Sequence, residues 1–275
     1  MTRLYLLAFD HRTAFTERIP AARSHEAVEA AKRVIWDGFR QAVDGGVPRS
    51  AAGLLIDEEY GAEIAREAKA AGVVLAMPVE AAGTAEFEFQ HGGDFGGYLE
   101  RWQPDYAKVL VRYDVRGDAE LNARQRGRLK TLSDWLRAND GKLMLEVVVP
   151  GDGDRLELML GAIAEMKDAG IAPALWKVDG LPSEAQCARV VELCGAEDGG
   201  EVGVIVLGRN APAEEVAAWL RAAARTPGYV GFAVGRTIWG GAIEELIAGT
   251  LSAEAASERI AAAYRALVDA YASAG

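Results

Sequence analysis

The sequence predicts a single α/β domain over residues 1–275, folded as a (β/α)8 TIM barrel. Three observations carry that expectation. Short apolar runs recur eight times along the chain, and amphipathic helical stretches alternate with them. The first strand-to-helix turn, Phe9-Asp10-His11-Arg12, also lacks the Gly-x-Gly-x-x-Gly fingerprint that an open doubly wound sheet would carry there.

The runs fall at residues 4–9, 53–56, 73–77, 106–111, 142–149, 174–178, 202–207 and 229–234. A helical pattern over 24–43, with Ser24 placed to cap it, joins the first run to the second. The next helix spans 59–71, and a short one over 94–102 fits the weaker pattern between the third and fourth runs. Helices over 118–137, 155–169 and 183–194 follow the fourth, fifth and sixth runs, the last of them capped by Ser183. Pro150-Gly151-Asp152-Gly153 and Gly180-Leu181-Pro182 are turn signals where strands should end. Helices over 213–224, 241–248 and 253–272 complete the chain. Each return from strand to strand has the dozen or so residues that parallel pairing demands. No low-complexity linker divides the chain. The last helix is suited either to close the barrel's final gap or to join two copies, so a homo-oligomer stays open.

Composition narrows the function classes. With 50% hydrophobic and 26% charged residues the chain can bury a large core. Its formal charge of -11 disfavours nucleic acid and anionic lipid as partners, so an anionic ligand must find a local basic cluster. Cys187 and Cys194 face one way on one helix, too far apart for a disulfide, and read as inert buried thiols. His11, His25 and His91 are too dispersed for a metal-ligand motif, so no metal and no cofactor are expected. The apolar start of the chain meets Asp10 and Arg12 at once, unlike a secretory signal, and no window approaches a membrane span. A soluble cytoplasmic protein acting on a small molecule is the expectation.

Charges inside strands stand out, because both faces of a barrel strand are normally apolar. Val109 and Val111 share the parity that suits the helix layer, which sends Lys108, Leu110 and Arg112 inward. By the same alternation Met144, Glu146 and Val148 point inward on the fifth strand, and Leu175, Lys177 and Asp179 on the sixth. Three sequential strands are neighbours, so Glu146 should sit between Lys108 and Lys177. A buried ion triad without chemistry is one reading, but such triads contribute little to stability. Amine catalysis on a carbonyl is the other. A lysine attacks a ketone only as the free amine, which burial and a neighbouring cation both favour, and both are expected for Lys177 beside Lys108. Glu146 would then move the protons needed to expel hydroxide from the carbinolamine.

Other strand ends add candidates. Asp10 is placed either to take a proton from a substrate hydroxyl or to orient Lys177. Asp57 is an acid that braces loops or touches substrate, and His11 is a substrate contact by position. Leu207-Gly208-Arg209-Asn210 and Val234-Gly235-Arg236-Thr237 end the seventh and eighth strands, where barrels often bind phosphate through backbone N–H groups and a helix N-terminus. Gly208 and Gly235 allow close approach, and Arg209 and Arg236 supply forks for a phosphate or sulfonate.

Taken together, Ala8-Phe9-Asp10-His11-Arg12, Leu54-Leu55-Ile56-Asp57-Glu58-Glu59-Tyr60-Gly61, Ala107-Lys108-Val109-Leu110, Leu145-Glu146, Trp176-Lys177-Val178 and Gly231-Phe232-Ala233-Val234-Gly235-Arg236-Thr237-Ile238-Trp239 resemble the class I aldolase group, in order and over nearly the whole length. That group includes tagatose-bisphosphate and sulfofructosephosphate aldolases. The chain resembles more closely the aldolase-like domain fused to 5-dehydro-2-deoxygluconokinase in myo-inositol catabolism. The resemblance implies a Schiff-base lysine at Lys177 and cleavage of 2-deoxy-5-keto-gluconate 6-phosphate into dihydroxyacetone phosphate and malonate semialdehyde. Tagatose-type relatives commonly carry Asp-Gln-Arg where this chain has Asp10-His11-Arg12, and the kinase domain of the fused relatives has no counterpart here. Tagatose bisphosphate, a sulfosugar phosphate, and a binding barrel without turnover stay open as alternatives.

Overall fold

Alternation of apolar residues gives each strand two buried faces, and that pattern is what closes the sheet. The computed structural model describes residues 2–13, 24–196 and 200–275. Among these residues eight parallel strands pair in sequence order, and the eighth returns to the first: β1 (Leu4–Ala8), β2 (Ala52–Leu55), β3 (Val74–Pro78), β4 (Tyr106–Arg112), β5 (Leu143–Val148), β6 (Leu175–Asp179), β7 (Gly203–Leu207) and β8 (Tyr229–Val234). The closed (β/α)8 barrel expected from the sequence is the fold.

The helices pack outside: α1 (His25–Asp44), α2 (Glu58–Ala70), α3 (Phe95–Trp102), α4 (Ala119–Ala138), α5 (Arg155–Asp168), α6 (Glu184–Cys194), α7 (Ala213–Ala224), α8 (Arg236–Ile247) and α9 (Ala253–Ala272). Ser24 and Ser183 cap α1 and α6 through their side chains, as their positions foretell. A short 3-10 turn over Gly92–Asp94 leads into α3. The largest departure from expectation is α8. Its helical pattern reads as starting at Gly241, the second of two glycines, yet the helix runs back through Gly240 to Arg236 and opens directly at the end of β8. Cys187 and Cys194 are buried free thiols on α6.

The inward and outward faces follow the alternation read from the sequence. Tyr5, Leu7, Val109, Val111, Leu145, Val147, Trp176 and Val178 pack with the helices in one large core. Leu4, Leu6, Leu55, Tyr106, Met144, Leu175 and Ile205 fill the barrel interior together with the small residues Ala8, Ala76 and Ala233. Bulky residues thus block the channel, while Ala8 and Ala233, late on their strands, leave room for a cavity at the strand C-terminal ends.

Helix α9 closes over the seam between β8 and β1, one of the two roles its sequence allows. Tyr264 donates a hydrogen bond to the Tyr5 carbonyl at 2.7 Å, and Tyr271 donates to the Tyr229 carbonyl at 2.8 Å. Against α1 the approach is close enough that a Cβ on Gly38 would lie 2.7 Å from the Ser257 carbonyl oxygen. Phe39 stacks on Trp36 and packs against Tyr264 across this contact. Among the described residues no helix is long and apolar enough to cross a membrane.

Phe39→Ala is expected to lower the unfolding free energy by about 3–5 kcal/mol, as for other fully buried aromatics. The change should appear in the denaturant midpoint with little change in slope; a loss below about 1 kcal/mol would mean that the α1–α9 contact is not part of the cooperative core.

Candidate active site

The charged residues of the barrel converge because the register places them side by side. Glu146 pairs with Lys177 across β5 and β6 and with Leu110 across β4 and β5, one inward step above Lys108. The long Lys108 stem reaches up, and Glu146 Oε2 lies 3.1 Å from Lys108 Nζ and 3.0 Å from Lys177 Nζ. Both lysine side chains are at most 5% exposed. The carboxylate between two lysines, inferred from strand parity alone, is therefore present in the fold.

Lys108 is not the bare cation that the sequence suggests. Asp10 Oδ2 stands 2.8 Å from its Nζ and Glu80 Oε1 2.6 Å, so three carboxylates surround one ammonium. Burial works against the Lys108 charge, but Asp10, Glu80 and Glu146 outweigh it and raise its pKa well above the ordinary lysine value. Burial likewise opposes the Asp10 and Glu146 charges, yet the two lysines, with His11 beside Asp10, hold both carboxyls below their usual ranges. Glu80 goes the other way. Burial is the largest influence on it and, with Asp10 nearby, pushes its carboxyl up against the pull of Lys108 and Arg12.

These groups line one cavity of about 320 Å³ at the strand C-terminal ends, a volume suited to a small metabolite. His11 forms part of its wall, edge-on to Trp239 at 5.3 Å between ring centroids. Burial, helped by Arg236, Lys32 and Lys108 and opposed by Asp10, pushes its imidazole down to about 4, so His11 is neutral at physiological pH. Arg112 lines the cavity from the end of β4, and Arg236 from the end of β8 on the opposite side of the ring.

Gly235 caps α8 with unusual backbone angles, φ -117° and ψ -99°. A Cβ there would lie 2.3 Å from the Ala8 carbonyl oxygen, so only glycine fits between β8 and β1. The start of α8 at this point brings the first turn of the helix, the positive end of its dipole, to the cavity rim. Gly208 also lines the cavity, and Arg209 and Asn210 after it adopt left-handed backbone at φ 48° and 58°.

The structure gives one expected contact partners within the protein and corrects another. Arg209 does line the cavity, but its guanidinium pairs with Asp179 at 2.5 Å and donates to the Val149 carbonyl at 3.3 Å. One nitrogen of the fork expected to take phosphate thus meets a carboxylate and the other a backbone carbonyl. Asp57 does not line the cavity at all. Its side chain caps α2 by accepting from the Tyr60 N–H at 2.9 Å and pairs with the fully buried Lys32 of α1, so it is the loop brace of the two readings.

Two residues escaped the sequence reading. Glu80 lies two residues beyond β3, whose inward parity through Val74 and Ala76 points to it. Arg12 is buried and donates to the Glu80 carbonyl at 2.9 Å and to the Gln90 side chain, contacts with no local sequence signal. Strand parity places Asp179 inward, but its pairing to Arg209 emerges only from the loop that follows β7. Among the described residues no group of three or more His, Cys, Asp or Glu side chains is arranged to hold a metal ion.

The chain belongs to a bacterial family described as "Uncharacterized protein conserved in bacteria (DUF2090)", whose model matches residues 1–275. Its fold is similar to that of Cgl0159 from Corynebacterium glutamicum, with 18% identity, a TM-score of 0.63, and coverage of 96% of this chain and 86% of that one. It is similar also to an archaeal fructose 1,6-bisphosphate aldolase, with 14% identity, a TM-score of 0.60, and coverage of 98% and 93%. At these identities the likeness is one of fold. A search of curated proteins finds no match.

Lys108→Met removes the cation that three carboxylates share, at an expected cost of about 3–5 kcal/mol near neutral pH. In the wild type the stability contributed by Asp10 and Glu146 is present above their unfolded pKa values and is lost as pH falls through their lowered folded values. In the variant the clustered carboxylates have no such cation and take up protons at higher pH, so its deficit should be smaller at pH 5 than at pH 8. Denaturant unfolding at both pH values checks this; an equal deficit at both would show that the cluster's charges are not coupled.

Proposed function

We propose that this protein is a metal-independent, Schiff-base (class I) aldolase that cleaves 2-deoxy-5-keto-gluconate 6-phosphate into dihydroxyacetone phosphate and malonate semialdehyde. The observation that carries the reading is the carboxylate shared by two buried lysines, Glu146 with Lys177 and Lys108, inside a cavity at the strand ends. Buried lysines with a common carboxylate are a costly arrangement for stability alone, and an amine at the bottom of a barrel mouth is what carbonyl chemistry needs.

Lys177 attacks the C5 ketone. Glu146, in contact with Nζ, carries protons between the amine and the carbinolamine oxygen so that water leaves and the iminium forms. The iminium accepts the electron pair of the C3–C4 bond as the C3 hydroxyl gives up its proton. The resulting enamine is protonated at C4, and water hydrolyses the imine to free dihydroxyacetone phosphate. Lys108, fixed by Asp10, holds Glu146 in place and keeps it ionised.

The phosphate is assigned to the β8 end, where Gly235, the α8 N-terminus and Arg236 meet, with Gly208 alongside. Arg236 lines the cavity directly beside Gly235 and is the arginine assigned to recognise it. Arg112 lies across the ring at the end of β4, on the side where the carboxylate of the malonate semialdehyde half would extend. Sequence resemblance to the aldolase-like domain of myo-inositol catabolism supports this substrate.

Borohydride added with 2-deoxy-5-keto-gluconate 6-phosphate should leave one reduced adduct, mapped by peptide mass to Lys177 and absent from Lys177→Met. No adduct, or an adduct on Lys108, would overturn the assignment. Arg236→Met should raise KM at least about tenfold through lost charge-assisted hydrogen bonds to the phosphate, with a smaller effect on kcat; an unchanged KM would move the phosphate elsewhere.

A further inference from the structure

The cleavage step needs a base, and the acid cluster offers three carboxylates with different surroundings. Of the three, Glu80 is the one with a buried oxygen that has no hydrogen-bond partner. Its Oε1 accepts from Lys108 Nζ at 2.6 Å, while Oε2 is buried without a hydrogen-bond partner. The Glu80 side chain is 10% exposed and lines the same cavity as Lys177. Lys108 has no proton left to offer it, because its three N–H groups face Asp10, Glu80 and Glu146 at 2.6–3.1 Å. A buried carboxylate oxygen without a donor is stabilised once a substrate hydroxyl supplies one.

We propose that Glu80 is the base of carbon–carbon cleavage, with Oε2 accepting the proton of the substrate's C3 hydroxyl. The inference rests on the Schiff-base reading and specifies its base. The C3 O–H bond breaks, its proton goes to Oε2, and C3 becomes the aldehyde carbon. The C3–C4 electron pair forms the C4=C5 bond of the enamine as the iminium nitrogen regains its lone pair. Glu80 then passes the proton to C4, a C–H bond forms, and the iminium is restored for hydrolysis. The water released on imine formation balances the water consumed, and no oxidant or reductant is needed.

The surroundings of each acid agree with this division. Asp10 and Glu146 are each flanked by both lysines, which weakens them as bases. Glu80 is faced by Lys108 on β4, Asp10 beyond β1, Arg12 in the following loop and Tyr98 on α3, and burial prevails in raising its proton affinity. Its backbone is fixed by Arg12 Nη2 donating to its carbonyl at 2.9 Å and by a bridge to Phe89. Glu80 thus combines an available oxygen, a rigid mount and the greatest affinity for a proton within the cluster.

Glu80→Gln separates this role from a structural one. With 2-deoxy-5-keto-gluconate 6-phosphate and borohydride, the folded variant should still form the reduced adduct on Lys177, while kcat falls at least about a hundredfold. The low-pH limb of the wild-type kcat profile should vanish from its residual activity. In Glu80→Asp, which keeps the carboxylate but withdraws it by one methylene, kcat should fall less, the low-pH limb should return, and KM should change little; this pattern also serves if Glu80→Gln does not fold. A kcat within about threefold of wild type for Glu80→Gln would overturn the proposal, as would loss of the adduct together with turnover, or an Asp variant no better than Gln. Absence of an adduct in the wild type would instead remove the Schiff-base reading on which the proposal stands.

Discussion

The buried ammonium of Lys108 is the constraint around which the rest of the site is arranged. A lysine at 2% exposure inside a barrel is tolerated only with partners, and here three carboxylates from three different strand ends supply them. That demand fixes Asp10, Glu80 and Glu146 within contact of one atom. It also leaves Glu146 near enough to reach Lys177 with the same oxygen. The mutual arrangement of Lys177, Glu146 and Glu80, the proposed nucleophile, proton carrier and base, thus derives from one buried charge.

Barrel geometry makes the cluster affordable. Asp10 and Glu80 lie just beyond strand ends and Lys108, Glu146 and Lys177 at inward positions within their strands, while Leu4, Leu6, Leu55, Met144 and Leu175 block the channel with apolar bulk. Ala8 and Ala233 leave the open volume. On the β8 side, Gly235 allows α8 to begin hard against β1, which sets helix N–H groups at the same rim. Polar chemistry is confined to one end of the barrel, and stability comes from the wall and the helix layer around it.

Much of this was legible in the sequence because it depends on period-two alternation. Lys108, Glu146 and Lys177 each interrupt an apolar strand at an inward position, and neighbouring strands must be adjacent, so their meeting required no coordinates. Gly235 and Arg236 were legible as a strand-end motif, although the two glycines after them concealed how early α8 starts. Contacts made by loops were not legible. Glu80 lies past the apolar run that marks β3, and its partner is 28 residues away. The engagement of Arg209 by Asp179 depends on left-handed backbone at a non-glycine residue, which composition does not announce. Asp57 shows the converse: its position at a strand end suggested a substrate contact, but Lys32 of α1 and the first turn of α2 claim its carboxylate.

A crystal of the protein soaked with dihydroxyacetone phosphate tests the central claim most directly, because it shows both the covalent partner and the anion site at once. The expected map has continuous density from Lys177 Nζ to the triose C2, with the phosphate at Gly235 and the first turn of α8 and Glu146 beside the new bond. A triose joined to Lys108, or one lying unbonded with its phosphate away from β8, would contradict it.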